Sequence, residues 1–165
     1  MHPESCLTPK ATDEGKIDTL SGKSILGDKW QYKELLLLAD PEEQAVNKYL
    51  DDGEMFILSV DDLVVGEAVV KEIDSTTCEL MNIAVLPEHQ KHGYATQMLS
   101  HLASTFSGRY QKMLVGTAEP LIAFYERAGF HVDHVRANFF VDNYSEPVIE
   151  NGVTYRDMTV LCRSL

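Results

Sequence analysis

Cysteines are few and long hydrophobic runs are missing from this sequence of 165 residues. Cys6, Cys78 and Cys162 are scattered and form no Cys-x-x-Cys pair, which argues against a disulfide framework and against a zinc site. No stretch approaches the ~20 apolar residues that a membrane-spanning helix needs, and the first residues lack the apolar run of a signal peptide. We therefore expect a cytoplasmic protein with no membrane partner.

Basic residues are also scarce. Fourteen Lys and Arg stand against 26 Asp and Glu, and the formal net charge is −12. This balance argues against a nucleic-acid partner, whose phosphates require cationic contacts, and makes a cationic substrate easier to accommodate. An acidic surface also serves solubility, so charge alone does not identify a substrate.

The chain divides into two parts. Residues 1–29 are polar, contain several prolines and glycines and show no periodicity, which predicts an extension outside the main core. Residues 30–165 have regular patterns and the length of one ordinary domain.

Alternation and helical periodicity predict the elements of that domain. We expect strands at 32–39, 54–60, 63–71, 76–85, 112–116, 130–140 and 153–161, with the last two joined by a long acidic loop. We expect helices from Pro41 to about Leu50, at 93–106, and between Pro120 and Gly129. This order predicts an α/β fold, more strictly α+β. Its mixed and mainly antiparallel sheet of about six to seven strands is flanked by helices, with one parallel crossover from 76–85 to 112–116.

The junction at residues 83–95 is suited to binding a diphosphate. A strand ends near Val85, Pro87 stops it, and Gly93 opens a helix whose apolar face is Ala95, Leu99, Leu102 and Phe106. Amides in the first turn of a helix lack carbonyl partners within the helix, and glycine allows close backbone approach. The Gly-x-Gly-x-x-Gly spacing of dinucleotide folds is absent.

Two motifs in order resemble the GCN5-related N-acetyltransferases (GNAT). Gln90-x-x-Gly93-x-Ala95 follows Ile83-Ala84-Val85, and Phe124-Tyr125-Glu126-Arg127-Ala128-Gly129-Phe130 comes about 35 residues later. The resemblance implies a GNAT fold splayed between the strands at 76–85 and 112–116, and an N-acetyltransferase that uses acetyl-CoA as cosubstrate and no metal. The residues it implies for acetyl-CoA are Ile83, Ala84, Val85, Gln90, Lys91, His92, Gly93, Tyr94, Ala95, Thr96 and Phe124.

The same resemblance implies the general acid. Tyr125 matches the tyrosine that protonates the departing CoA thiolate in many members, although an aromatic on this helix face also suits a core position. The preceding residues 116–119 lack the asparagine that relatives often carry, which puts one further CoA contact in doubt.

Two carboxylates are candidates for the base that takes the amine proton. Glu67 interrupts an apolar run, where burial raises a carboxyl pKa toward a useful range, and strand alternation places Glu79 on one face with Ile83 and Val85. The sequence favours Glu67 over Glu79, and a water relay without a dedicated base is the alternative.

The acceptor site is predicted on the last long loop. Residues 143–152 resemble the signature Asn-Tyr-x-x-Pro-(Ile/Val)-x-Glu-x-Gly of a bacterial GNAT subset, and Tyr144, Glu146 and Glu150 would select a cationic amine. A solvated acidic turn is the simpler interpretation.

Several questions stay open in the sequence. The sequence does not choose between a small amine, a polyamine, an aminoglycoside-like compound, an amino acid, and a protein N-terminus or lysine as the acceptor. A non-catalytic acyl-CoA-binding or sensing protein is the alternative function. A homodimer is plausible from the family. A metal site is not expected, because strand spacing would send His131 and His134 to opposite faces.

Overall fold

The computed structural model describes residues 25–165 and contains a six-stranded mixed sheet with helices on both faces. Its strands are β1 (Glu54–Val60), β2 (Leu63–Asp74), β3 (Thr77–Val85), β4 (Lys112–Thr117), β5 (His131–Arg136) and β8 (Met158–Ser164), arranged in the order β1-β2-β3-β4-β8-β5. Only β3 and β4 run parallel; the other neighbours are antiparallel. A two-stranded ribbon, β6 (Val148–Glu150) and β7 (Val153–Tyr155), stands beside the sheet. The predicted mixed, mainly antiparallel sheet is confirmed.

Each face of the sheet is covered by its own helices. α3 (Tyr94–Phe106) and α4 (Ile122–Arg127) pack on one face around a core that includes Phe56, Leu80 and Leu102. α1 (Lys33–Ala39) and α2 (Glu43–Asn47) cover the other face, where Leu36 and Val46 meet Val69. A further short helix, α5 (Phe139–Asn143), follows β5. The predicted apolar face of α3 is confirmed, because its four predicted members are all buried.

The hairpin and the crossover follow the sequence pattern closely. β1 and β2 pair antiparallel through the Asp61-Asp62 turn, where both residues have positive φ. β3 then leads through α3 to β4 in parallel pairing. Gly129 has a φ of 90°, so it ends α4 in the left-handed conformation that glycine adopts without strain.

The predicted strand at 32–39 is wrong. This segment is a short 3-10 turn, Lys29–Tyr32, followed by α1. The 3-10 turn begins with the side chain of Asp28 accepting a hydrogen bond from the amide of Trp30. The run of leucines that follows has no β-branched residue, and leucine is a strong helix former. An apolar run of this length does not distinguish a buried strand from a buried helix.

The last two predicted strands are shorter than expected. Asn138 turns the chain with a φ of 57°, which ends the strand predicted at 130–140 and starts α5. The strand predicted at 153–161 is interrupted at Arg156 and Asp157, because the Asp157 carboxylate accepts a hydrogen bond from the Asn138 amide at 2.7 Å. Asn151-Gly152, with φ of 50° and 76°, forms the tight turn of the β6–β7 ribbon inside the predicted loop.

Most of the predicted extension, residues 1–24, lies outside the described residues. Its last part contacts the domain: the Ile25 amide donates to the Met55 carbonyl at 3.0 Å, and the Lys29 ammonium donates to the carbonyls of Leu50 and Gly53. Across residues 25–165, none of the helices has the length and apolar character required to span a bilayer.

Candidate acetyl-transfer site

β3 and β4 separate toward their carboxyl ends, and this split positions the site. Their ladder joins Thr77–Leu80 to Lys112–Val115 and does not include the last residues of either strand, while β4 continues on its other side with β8 as far as Thr117. The predicted splay therefore lies at the carboxyl end of β3. Backbone groups on the β4-facing edge of Ile83, Ala84 and Val85 are thus placed to pair with an extended ligand.

The turn after β3 curls its backbone toward the same end of the sheet. Lys91 and Gly93 both have positive φ, of 63° and 80°, and α3 starts at Tyr94. Alternation of left-handed and helical residues gathers successive N–H groups into a concavity suited to an anion. A side chain at position 93 would point into open space, so the glycine is required by its backbone conformation and not by crowding.

Side chains around the turn hold its shape. The Gln90 amide donates to the Val85 carbonyl at 3.0 Å and so ties the turn to the end of β3. His92 lies 3.1 Å from the His89 carbonyl through Nδ1, and its ring stacks on Tyr94 with centroids 5.7 Å apart. Lys91 and Thr96 are exposed, whereas Ala95 is buried under the helix. The predicted cofactor residues other than Phe124, which lies on α4, thus fall at the end of β3, in the turn that follows it and in the first residues of α3.

Tyr125 lies in the core beside this region. Its side chain is fully buried and packs edge-to-face on Phe124 and Phe130, with centroids 5.1 and 5.8 Å away. Burial raises the pKa of Tyr125 well above its usual value, so the phenol stays protonated at physiological pH. A protonated hydroxyl is what a general acid requires, and the position also satisfies a packing role.

The two candidate bases have very different surroundings. Glu67 is completely buried on β2, opposite Ala84, and neither carboxyl oxygen has a hydrogen-bond partner among the described residues. Desolvation raises the pKa of Glu67 to about 8. Asn82 is a buried neighbour on β3 whose Oδ1 also lacks a partner. A neutral, protonated Glu67 is therefore favoured over most of the physiological range.

Glu79 is held by an arginine that sequence reasoning missed. Arg136 donates to both Glu79 oxygens, at 2.8 and 3.1 Å, in a two-pronged pair. The prediction that Glu79 shares a face with Ile83 and Val85 is wrong. Met81 is an extra residue in the β2–β3 pairing, since Val69 pairs with Asn82 but Val70 pairs with Leu80, and this bulge reverses the alternation.

A cavity of about 880 Å³ opens beside the split. Tyr144, Glu146 and Glu150, predicted to contact the acceptor, line it together. The wall also contains the end of α1, Gly116 in β4, residues 118 and 121 after that strand, and the aromatic pair Phe139 and Phe140. Among the described residues, five carboxylates line the cavity against two cationic side chains, Lys48 and Arg136. The cavity is thus acidic over an otherwise apolar wall.

A hydrogen-bond chain in this wall was not anticipated from sequence. The Asn82 amide donates to the Tyr49 hydroxyl at 2.8 Å, Tyr49 donates to Asp40 at 3.2 Å, and Tyr144 donates to the other Asp40 oxygen at 2.9 Å. Asp40, Tyr49 and Tyr144 all line the cavity. Only Tyr144 carried a signal in the sequence, through its loop. Asp40 stands between the predicted strand at 32–39 and the predicted helix from Pro41, where an Asp is an ordinary residue to precede a helix.

The two histidines of β5 require a correction. A bulge at Asp133 pairs His131 with Cys162 and His134 with Val160, which places both histidines on one face and not on opposite faces. Even so, the described part of the chain contains no group of three His, Cys, Asp or Glu side chains that could hold a metal ion.

Comparison with known proteins agrees with this geometry. The acetyltransferase (GNAT) domain model matches residues 51–132. An uncharacterised N-acetyltransferase of Bacillus subtilis, YvbK, is 33% identical over 132 residues, covering 78% of this chain and 85% of the relative. The chain belongs to the GNAT acetyltransferase family. Residues 51–132 of this GNAT protein contain both candidate bases, the anion turn and Tyr125.

Solved structures of other GNAT proteins resemble it over nearly the whole domain. One from Elizabethkingia anophelis, with acetyl-CoA bound, is 32% identical, has a TM-score of 0.79 and covers 90% of this chain and 96% of its own. A Bacillus subtilis acetyltransferase in complex with CoA is 29% identical with a TM-score of 0.78, covering 87% and 97%. An IAA acetyltransferase from Bacillus cereus is 35% identical with a TM-score of 0.77, covering 81% and 92%.

Proposed function

We propose that this GNAT protein transfers the acetyl group of acetyl-CoA to a primary amine of a small cationic molecule, by direct attack in a ternary complex. The observation that carries the proposal is the acidic, largely apolar cavity beside the split between β3 and β4. A cavity of this charge favours a cationic ligand, and the split strand edge is where an extended acyl-CoA arm would pair.

The cofactor would lie along β3 and the turn that follows it. In this proposal the backbone of Ile83, Ala84 and Val85 pairs with the amides of the CoA arm, while amides at residues 90–96 surround its diphosphate. Lys91 is exposed and adds a positive charge at the turn. Phe124 packs directly on Tyr125, which keeps the phenol in place.

Cysteine chemistry in the core favours direct transfer over an acetyl-enzyme. Burial raises the pKa of Cys78 to about 12 and raises that of Cys162 as well, so both thiols stay protonated and weakly nucleophilic. Neither is among the residues that line the cavity. In the proposed step, the amine nitrogen bonds to the thioester carbonyl carbon, and the carbon–sulfur bond then breaks to release the CoA thiolate.

Two protons must move for this step to balance. The ammonium first gives one proton to Glu67 and becomes a neutral nucleophile. The nitrogen gives a second proton as the amide forms, and that proton replaces the one that Tyr125 passes to the thiolate. The products are the amide, free CoA and a protonated Glu67, which returns its proton to solvent. Glu67 suits the base role better than Glu79, because Glu79 is already neutralised by Arg136. A carboxyl pKa of about 8 makes Glu67 a stronger base than an ordinary glutamate once it is ionised. Since Glu67 is not among the residues that line the cavity, and no hydrogen bond joins its carboxyl oxygens to any described residue, the proton would travel to it through a water.

The test is amine-dependent release of the CoA thiol, measured over a panel of primary amines across about pH 6 to 9. We expect turnover with cationic amines. In the wild type, kcat/KM should rise with pH through a step centred near pH 8, and Glu67→Gln should lose that step. Glu79→Gln serves as the comparison and should keep that step. An unchanged pH profile in Glu67→Gln would remove Glu67 from the base role, and thiol release without any amine would contradict the transfer itself.

A further inference from the structure

Asp40 is a carboxylate fixed from several directions at the wall of the cavity. It follows the last residue of α1, and its amide donates to the Leu36 carbonyl at 3.1 Å. The hydroxyls of Tyr49 and Tyr144 donate to its two oxygens, one each. Tyr49 is held in turn by the amide of Asn82 on β3. Four separate segments of the chain thus determine where this carboxylate points.

Among residues 25–165, no cationic side chain forms an ion pair with this carboxylate. Its residue is only 7% exposed, and the ion pairs in this part of the chain all involve other carboxylates. An ionised carboxylate accepts about four hydrogen bonds, and the two tyrosines provide two. Burial accordingly raises the pKa of Asp40, against the opposing effect of the tyrosine hydroxyls. Placing a charge here without a partner is costly, and a cationic ligand would remove that cost.

Both cationic side chains of the cavity already have partners. Arg136 is bound to Glu79, and the Lys48 ammonium donates to the Asn143 side chain at 3.3 Å. A ligand carboxylate would therefore meet an acidic wall, an Arg136 already paired with Glu79, and a Lys48 whose hydrogen bond goes to a neutral amide. An ammonium group would find Asp40 with two unused acceptor positions.

The rest of the wall is suited to an apolar ligand body. Leucine, phenylalanine, isoleucine and methionine side chains line it, and they include Leu37, Leu121, Phe139, Phe140, Ile149 and Met158. Aromatic and aliphatic contacts of this kind gain free energy from burying hydrocarbon, not from binding further charges. The lining therefore favours one positive charge on a hydrophobic body over an amino acid.

Asp40 also lies near the proposed acetyl position. Two hydrogen bonds, through Tyr49, connect it to Asn82, which directly precedes the strand segment assigned to the CoA arm. An amine held at Asp40 would thus be close to the split in the sheet.

We infer that Asp40 binds the ammonium group of the acceptor, an alkylamine or arylalkylamine with a single positive charge, and that Tyr49 and Tyr144 act as positioning residues for it. This inference rests on the proposed function for the identity of the reaction, but the binding itself can be measured without acetyl transfer.

The test is titration calorimetry of CoA-loaded protein with phenethylamine. Two ligands with the same ring, 2-phenylethanol and phenylalanine, vary the charge while the protein stays wild type. We expect phenethylamine to bind about tenfold or more tightly than either, because a hydrogen bond to a charged group is stronger than a neutral one. Asp40→Asn should weaken phenethylamine by about tenfold to a hundredfold and leave 2-phenylethanol unchanged. The control Glu34→Gln removes an exposed carboxylate of α1 that does not line the cavity, and it should change phenethylamine binding by less than about threefold.

The outcomes separate the two proposals. Equal binding of phenethylamine and 2-phenylethanol to the wild type, or undiminished phenethylamine binding in Asp40→Asn, would overturn the role of Asp40. Tyr144→Phe keeps the Asp40 carboxylate and should raise KM for phenethylamine more than it lowers kcat. If Tyr144 had only a structural role, the substitution would lower stability without raising KM selectively. Tight amine binding at Asp40 with no thiol release from acetyl-CoA would instead refute the proposed function and leave the ammonium site standing.

Discussion

Replacing Glu67 with glutamine should make this protein more stable at alkaline pH while lowering its activity. Glu67 is 0% exposed, and its carboxyl oxygens have no hydrogen-bond partner among the described residues. Its pKa is raised because burial removes the carboxyl group from water. Glutamine has nearly the same size and cannot ionise. The substitution therefore removes the charge and preserves the packing.

The magnitude follows from proton linkage. The pKa of Glu67 is about 8 in the folded protein against 4.5 for an ordinary glutamate, so the folded state keeps a proton that the unfolded state releases. Because the folded pKa is raised, the contribution to stability is fully present below about pH 4.5 and is lost as the pH rises through about 8. At about 1.4 kcal/mol per pH unit, the wild type should lose about 3.5 kcal/mol between about pH 5 and pH 8 from this group.

Urea unfolding of both proteins at about pH 5 and pH 8 gives the comparison. All other titrating groups are shared by the two proteins. The free energy of unfolding of Glu67→Gln, relative to that of the wild type, should therefore rise by about 3.5 kcal/mol between about pH 5 and pH 8. The exposed Glu126→Gln is the control and should show a shift of less than about 0.5 kcal/mol. If Glu67→Gln and the wild type differed in free energy of unfolding by the same amount at both pH values, Glu67 would not be a desolvated carboxyl. The reasoning behind its base role would then fail as well.

Three further substitutions test the rest of the site. Tyr125→Phe should lower turnover while acetyl-CoA affinity by calorimetry stays near wild type, and unchanged turnover would remove Tyr125 from the acid role. Gly93→Glu should abolish acetyl-CoA binding, because its charge repels the diphosphate and a side chain is strained at a φ of 80°. In Gly93→Ala the added carbon meets open space, so this control should lose only about 1 kcal/mol of stability. Retained acetyl-CoA affinity in Gly93→Glu would place the diphosphate elsewhere. Arg136→Met should destabilise the fold by about 2 kcal/mol, because it leaves Glu79 buried without a partner. Adding Glu79→Met should restore most of this loss, as measured by thermal unfolding. If the stability losses of the two single variants simply added in the double variant, the pair would not be coupled.

The parts of this protein that the sequence predicted are those whose pattern is local. The β1–β2 hairpin, α3 with its buried face and the turn at Gly93 each depend on residues within about a dozen positions of one another. α1 was missed as a helix because four consecutive leucines carry no period, and only packing against the sheet decides their conformation.

The features that escaped prediction depend on contacts between distant segments. Tyr144 and Asp40 are separated by 104 positions, so no local sequence pattern could predict their hydrogen bond. The Glu79–Arg136 pair joins two residues that are 57 positions apart in the chain, on β3 and β5, and these strands are separated in the sheet by β4 and β8. One extra residue at Met81 was enough to move Glu79 to the other face, since strand periodicity is two and a bulge reverses it.

Direct transfer to a cationic amine is tested most directly by mass spectrometry of one reaction with isotopically labelled acetyl-CoA and phenethylamine. The prediction is one labelled N-acetylated amine for each CoA thiol released, with no labelled acetyl group on the protein at any time. A labelled acetyl-protein that forms without amine and then passes its label to the amine would contradict direct attack.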